Sequence, residues 1–385
     1  MQYTEYELGE LLPFEQPTAY IVKSTDYSDA YATPVLTAGK SFILGKTNET
    51  DGIFDQLPVI IFDDFTTATQ FVNFRFKVKS SAMKILHINT DLVIPKYIFY
   101  RLQIIQFDHS THKRYWIQSY SKIKVLIPPL DEQFRIVARI EEFFSELDKA
   151  VDTLKTTKEQ LAVYRQAVLK DAFDNAQAMC ERFTPIEELL VTDRKGMSTG
   201  PFGTMLKKHE HKTTGVPMLG IENIDSGKFI DGNKIFVTPE KAAELKSFAL
   251  KSGDIIISRS GTVGELCVVP PRMEGALLST NLMRVSLDCQ KVLPEYFIYL
   301  FQSKGIVLDQ VKELCKGSTR IFLNQTILKQ IQFPIPNVHK QLQIINTIES
   351  RLTFCDNIEK TVDTALAQAD AMRQSILKQS FEGTM

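Results

Sequence analysis

The stretch IPPLDEQFRIVARIEEFFSELDKAVDTLKTTKEQLAVYRQAVLKDAF, Ile127 to Phe173, is present twice in the chain. Advancing the sequence by 208 positions lays it without a gap on Ile335 to Phe381, and 15 of the 47 positions are identical. The identities include Ile127, Pro128, Gln133, Ile136, Ile140, Glu141 and Asp148. The block closes on Arg165, Gln166, Leu169, Lys170 and Phe173, matched by Arg373, Gln374, Leu377, Lys378 and Phe381. Ungapped identity of that extent marks a duplication, so the chain is read as two copies of one unit.

Each copy reads as one long helix. Val137, Phe144 and Val151 alternate with Ile140, Leu147, Leu154, Leu161 and Val168 in three- and four-residue steps. That is the heptad seam of a coiled coil. The second copy keeps the register, with Ile345, Leu352 and Leu366 alternating with Ile348, Cys355, Val362, Ala369 and Ile376. Pro128 and Pro336 stand just ahead of the two runs, where helices begin. About 45 residues at ~1.5 Å each make a rod of roughly 70 Å with one apolar seam, which needs a partner. The other copy is the expected partner, with Phe144, Leu147, Leu154, Leu161, Leu352, Val362, Leu366 and Ile376 as contact residues. Lys158 and Glu359 interrupt the seam near its middle.

A chain of 385 residues with 44% apolar content suits two to four folded units. Net charge is −1, which argues against a strongly basic nucleic-acid binder, but the charge is unevenly spread. Residues 1–74 carry 3 basic and 11 acidic side chains, and residues 75–125 carry 10 basic and 2 acidic. Residues 183–333 come to +3, while 126–182 and 334–385 come to −3 and −1. Positive charge therefore gathers between the helices, where it can meet phosphates. Five cysteines without Cys-x-x-Cys spacing fit a reducing cytoplasm. Neither a signal peptide nor an apolar run near 18 residues is present, so secretion and membrane spanning are not expected.

Residues 1–125 hold short apolar runs, Val59 to Phe62 and Phe71 to Val78, separated by turns, the pattern of a strand-rich domain. Asp63 and Asp64 between those runs read as an Asx turn rather than metal ligands. The run Tyr97 to Phe107 looks helical. Residues 183–333 repeat the plan: Pro95, Tyr97, Tyr100 and Gln103 are echoed by Pro294, Tyr296, Tyr299 and Gln302. The boundaries are a domain at 1–125, a helix at 126–182, a domain at 183–333 and a helix at 334–385. The fold class is α+β, with pseudo-two-fold duplication.

Catalytic patterns are missing. Gly45, Lys46 and Thr47 resemble the end of a phosphate-binding loop, but Lys40 stands where the leading glycine belongs. Neither the His109/His112 pair nor His209/His211 has a second ligand group at zinc spacing, and no Gly-x-Ser-x-Gly elbow occurs. The chain is read as non-catalytic and metal-free.

Gly200 to Lys208, Gly253 to Gly264, Lys316 to Arg320 and the two Ile-Pro segments leading to Gln133 and Gln341 together resemble the specificity subunit of a type I restriction-modification system, over essentially the full length. The resemblance implies two target-recognition domains that each bind half of a bipartite DNA site, with the helices paired antiparallel as a spacing ruler. That pairing would bring Lys158 and Glu359 near each other, either as a buried opposite-charge pair that fixes the register or with Lys158 snorkelling past the seam into solvent. It implies double-stranded DNA, two methyltransferase subunits and restriction subunits as partners, in a bacterial or archaeal cytoplasm. S-adenosylmethionine would belong to the methyltransferase subunits, with no cofactor in this chain. Candidate DNA contacts are Thr66, Thr67 and Thr69 in the first domain. In the second they are Gly203, Thr204, Lys207, Lys208, Arg259, Ser260, Thr262, Lys316, Ser318, Thr319 and Arg320. The first domain lacks the Gly-Pro-Phe-Gly turn of the second, so the two are expected to be different subtypes reading different half-sites. The residues alone also allow a coiled-coil adaptor whose domains bind proteins.

Overall fold

The computed structural model describes residues 3–37, 41–108, 114–178, 183–259, 261, 263–303, 305–314 and 322–382. Two compact units emerge, residues 1–155 with 363–385, and residues 156–362. Each unit takes one strand-rich domain and one half of each long helix. The helices run Leu130–Ala178 and Val338–Glu382.

In the first unit the strands are β1 (Thr4–Glu7), β2 (Phe14–Glu15), β3 (Thr33–Leu36), β4 (Ile43–Thr47), β5 (Val59–Asp63), β6 (Thr69–Val72), β7 (Lys77–Val78), β8 (Met83–Leu86) and β9 (Lys124–Ile127). They form a four-stranded sheet ordered β2-β8-β5-β6, a three-stranded sheet ordered β4-β3-β7, and a β1–β9 pair that closes the domain. All of β5 is buried, which its unbroken Val-Ile-Ile-Phe run requires. Because side chains alternate along a strand, Ile60 and Phe62 enter one core while Val59 and Ile61 enter another.

The second unit contains β10 (Phe183–Pro185), β11 (Met197–Thr199), β12 (Val216–Leu219), β13 (Ile224–Asp225), β14 (Lys228–Phe229), β15 (Ile235–Val237), β16 (Ile255–Ser258), β17 (Leu266–Val268), β18 (Leu277–Leu278), β19 (Leu282–Val285) and β20 (Gln332–Pro334). The sheets are ordered β11-β19-β16-β17 and β15-β12-β18, and β10 pairs with β20. This is the strand order of the first domain. Both three-stranded sheets even keep one antiparallel and one parallel neighbour. Among the described residues, the β13–β14 hairpin is the addition in the second domain. Asn223, fully buried, anchors it by accepting from the Gly220 N–H at 2.9 Å and donating to the Ile230 carbonyl at 2.9 Å.

Two sequence boundaries move. Phe71 to Val78 is not one strand but parts of β6 and β7, separated by residues 73–76. The helix after Pro95 stops at Leu102. Phe107 lies beyond it, packed edge-on against Tyr115 at 5.0 Å and near Tyr120 at 5.1 Å, so aromatic packing overrides the helical pattern.

The seam packs in antiparallel fashion within each unit. In the first, Ile140 and Phe144 meet Ile376 and Leu377, with Leu147 beside them. In the second, Leu169 and Phe173 share a core with Ile345, Ile348 and Leu352. Asp148 pairs with Arg373, and its repeat counterpart Asp356 pairs with Arg165 at 2.6 Å. One ion pair has thus been kept twice. Leu161, Cys355 and Val362 are buried; Leu154 and Leu366 are half-buried. Lys158 and Glu359 do approach, but only to 4.0 Å and with side chains 45% and 38% exposed. Glu359 takes a closer partner, Arg165 at 2.9 Å, so the pair is not a buried register lock.

Duplication also fixes how each domain grips the helices. Gln133, fully buried, accepts from the Ile94 N–H at 2.8 Å and donates to the carbonyls of Leu92 and Pro128. Gln341 accepts from the Leu293 N–H at 2.8 Å and donates to Lys291 and Pro336. Each glutamine satisfies three backbone groups that would otherwise be buried without partners. Tyr97 meets Phe381 edge-on at 5.2 Å, and Tyr296 meets Phe173 at 5.3 Å. Each domain therefore packs on the far end of the other repeat's helix. Phe381 joins the core that holds Leu8 and Tyr6, as closure of the duplicated unit requires.

Candidate nucleic-acid interface

In the second domain, stretches far apart in sequence meet at one end of the β11-β19-β16-β17 sheet. Gly200 lies so close to the β18–β19 turn that a Cβ there would stand 2.0 Å from the Ser279 carbonyl oxygen. Gly203 has φ +63°, the left-handed region that favours glycine. The Thr280 hydroxyl donates to the Pro201 carbonyl at 2.7 Å, tying this turn to the next loop. From Arg259, Nη1 donates to the Thr280 carbonyl at 3.1 Å and Nε to the Leu323 carbonyl at 3.4 Å. The guanidinium lies 4.8 Å from the Phe322 ring centre, and burial pulls its pKa below the usual arginine value.

Gly200–Gly203, Arg259 and the chain from Phe322 therefore form one cluster. Phe202 is 66% exposed at its tip. Lys207 and Lys208 follow in a short turn, where the Lys207 N–H donates to Glu210 at 2.6 Å. That bond first, and the Lys241 ammonium at 2.9 Å second, hold the Glu210 carboxyl below the ordinary carboxylate range. Glu210, between His209 and His211, is thus an ion-pair and turn residue.

The first domain builds its counterpart around Asp64. Asp63 forms the expected Asx turn, accepting from the N–H groups of Phe65 at 2.9 Å and Thr66 at 3.4 Å. Thr67 has φ +58°, and its hydroxyl donates to the Thr66 carbonyl. Thr69 faces inward, where its hydroxyl accepts from Gln103 at 2.5 Å. It is a packing residue in this structure. Asp64 is almost wholly buried, accepts from the Trp116 N–H at 2.9 Å, and lies 3.2 Å from Lys84, itself fully buried.

Of the sequence candidates, the structure groups Gly203 and Arg259 in one cluster, with Lys207 and Lys208 on the chain that leaves it, and Thr66 and Thr67 in another. Ser260, Thr262, Lys316, Ser318, Thr319 and Arg320 lie outside the described residues, as does the side chain of Thr204. So do His109 and His112. Sequence reasoning missed Lys84, Trp116 and Thr280. Only Lys84 left a trace, as a cation within an otherwise apolar strand.

Comparison with known proteins decides the family. Residues 202–368 match the type I restriction modification DNA specificity domain. The chain is 31% identical over 367 residues to the type I restriction enzyme EcoR124I/EcoR124II specificity subunit of Escherichia coli, covering 91% of this chain and 87% of that one. It belongs to the specificity subunits of type I restriction-modification systems. The EcoKI specificity subunit of Escherichia coli (strain K12) is 26% identical over 289 residues, covering 69% of this chain and 59% of that one. Two solved structures share the fold of this specificity subunit. One, from a study of complex assembly and conformational transition of the type I R-M system, has a TM-score of 0.66 at 15% identity, covering 98% of this chain and 97% of that one. The other, the HsdS subunit from Thermoanaerobacter tengcongensis, has a TM-score of 0.51 at 14% identity, covering 100% and 97%. No helix among the described residues is long and apolar enough to cross a membrane.

Proposed function

We propose that the two domains each read one half of a bipartite, gapped DNA site, and that the paired helices set the gap and dock two methyltransferase subunits. One observation carries this reading: a duplicated scaffold, with the same strand order, glutamine grip and aromatic contact, presents two loop clusters of different chemistry. Phosphate contacts position a protein on DNA, and base-edge contacts specify sequence. Lys207, Lys208, Lys316 and Arg320 suit the first task. Thr66, Thr67, Ser260, Thr262, Ser318 and Thr319, whose hydroxyls both donate and accept, suit the second.

The chain itself performs no catalysis in this reading. Methyltransferase subunits holding S-adenosylmethionine supply it, and restriction subunits complete the complex. With a net charge of −1, the isolated chain gains little from counterion release, so its partners contribute much of the phosphate neutralisation. A gel shift on randomised duplex DNA, with and without methyltransferase subunits, tests this. Tight binding and a selected two-part motif are expected only with them; retention without any selected motif would favour a protein-binding adaptor.

A further inference from the structure

The loop clusters of the two domains are built on one backbone node. In the first, the Asp64 N–H donates to the Ala82 carbonyl at 3.4 Å, and the Tyr115 N–H donates to the Asp64 carbonyl at 2.9 Å. In the second, the Arg259 N–H donates to the Asn281 carbonyl at 3.0 Å, and the Leu323 N–H donates to the Arg259 carbonyl at 3.1 Å. Asp64 and Arg259 each follow the last residue of the central strand, β5 or β16. Ala82 and Asn281 each precede the strand beside it, β8 or β19. Tyr115 and Leu323 are where the chain returns after the long excursion from the sheet. The positions are equivalent, and the side chains at the node carry opposite charge.

Both side chains bond that returning chain and the strand or turn beside it. The Asp64 carboxylate caps the Trp116 N–H and faces the buried Lys84 ammonium. The Arg259 guanidinium holds the carbonyls of Leu323 and Thr280 and stacks on Phe322, and Thr280 in turn holds Pro201. The Asp64 carboxylate is thereby buried, and two of the five guanidinium donors of Arg259 are taken by backbone carbonyls. Exposed tips stand next to both: Phe65 beside Asp64, 48% exposed, and Phe202 in the Arg259 cluster. Lys84 stands opposite Phe62 in the β5–β8 ladder, and Met283 stands opposite Ile257 in the β16–β19 ladder. A cation there accompanies the acid at the node, and a neutral residue accompanies the arginine.

We propose that Asp64 and Arg259 are equivalent positioning residues, each aiming the reading loops of its own domain and so governing base preference in one half-site. This rests on the reading of the domains as half-site readers. A side chain that aims a loop acts on discrimination between bases, whereas one that only neutralises phosphate weakens all sequences alike. Lysine in place of Arg259 keeps the charge but loses the fork that spans two carbonyls and the flat face against Phe322. At Asp64, asparagine keeps the acceptor for Trp116 but leaves Lys84 buried without a counter-charge. The double variant Asp64→Asn/Lys84→Met removes that penalty by installing the residue the second domain carries.

The test is selection from randomised duplex DNA by the complex with methyltransferase subunits, followed by sequencing. Wild type should yield a two-part motif. Arg259→Lys and Arg259→Gln should both lose about tenfold or more of the base discrimination in one half, comparable to a mismatch, while the other half reads normally. That retained half shows that the variant is folded. Asp64→Asn/Lys84→Met should read both halves normally, and Asp64→Ala/Lys84→Met should blur the half that Arg259 variants leave intact. The inference is overturned if Arg259→Lys reads as wild type, if both halves weaken together, or if the two Asp64 double variants read alike. A wild-type complex that selects no two-part motif would instead overturn the half-site reading on which the inference stands.

Discussion

Domain 1 and domain 2 return their chains to the sheet through the same two backbone hydrogen bonds, yet Asp64 stands at the node of one and Arg259 at the node of the other. At their junctions with the helices the two domains agree instead. Gln133 and Gln341 make the same three hydrogen bonds, and Tyr97 and Tyr296 touch Phe381 and Phe173 at nearly equal distances. Identity has been kept where domain meets helix and lost where loops project. A duplicated reader needs one way of being held and two ways of reading. The β13–β14 hairpin extends the contrast, since it adds chain to one domain without disturbing the shared strand order.

The comparison can be broken most severely at the helices. Inserting one heptad into each, after Leu154 and after Val362, adds ~10 Å at about 1.5 Å per residue. The recognised gap should lengthen by about three base pairs, at ~3.4 Å each, with both half-sites unchanged. Methylation mapping reads this out, and a constant gap would mean that the helices do not set it.

A smaller effect is expected where the domains agree. Gln133→Ala strands a buried N–H and two carbonyls, and each such group costs about 1–3 kcal/mol, less where water can enter. A loss of about 2–4 kcal/mol should appear as a lowered urea midpoint, and Gln341→Ala should match it to within about 1 kcal/mol if the two grips are equivalent. Unequal losses would show that the duplication is one of shape only.

The smallest effect belongs to the seam. Lys158 and Glu359 are half-exposed and 4.0 Å apart. A double-mutant cycle on Lys158→Met and Glu359→Leu should give coupling below about 0.5 kcal/mol, the range of exposed ion pairs. Arg165, which bridges Asp356 and Glu359, should couple more strongly to either acid. The reverse order would restore Lys158 as the register residue.

Long-range regularity was legible in the sequence, and local chemistry was not. The 208-residue repeat marks two matching seams, and in the structure Asp148–Arg373 and Asp356–Arg165 obey the two-fold relation of an antiparallel pairing between the copies. The match of Tyr97 with Tyr296 foretold that the domains were copies. It could not foretell that both rings reach the far end of the other helix, since nothing local connects Tyr97 with Phe381. Thr69 looked like a loop hydroxyl and is turned inward by Gln103, which is 34 residues away. Arg259 looked like a base reader. Its carbonyl partners, Thr280 and Leu323, are backbone groups that every sequence carries, so no pattern marks them.

Under the proposed function, each domain reads one half of the site independently of the other. This is tested most directly by replacing residues 183–333 with the corresponding domain of another specificity subunit, keeping both helices, and mapping methylated bases produced with the methyltransferase subunits. One half of the motif should change, while the other half and the gap stay as in wild type. A change in both halves, or in neither, would contradict it.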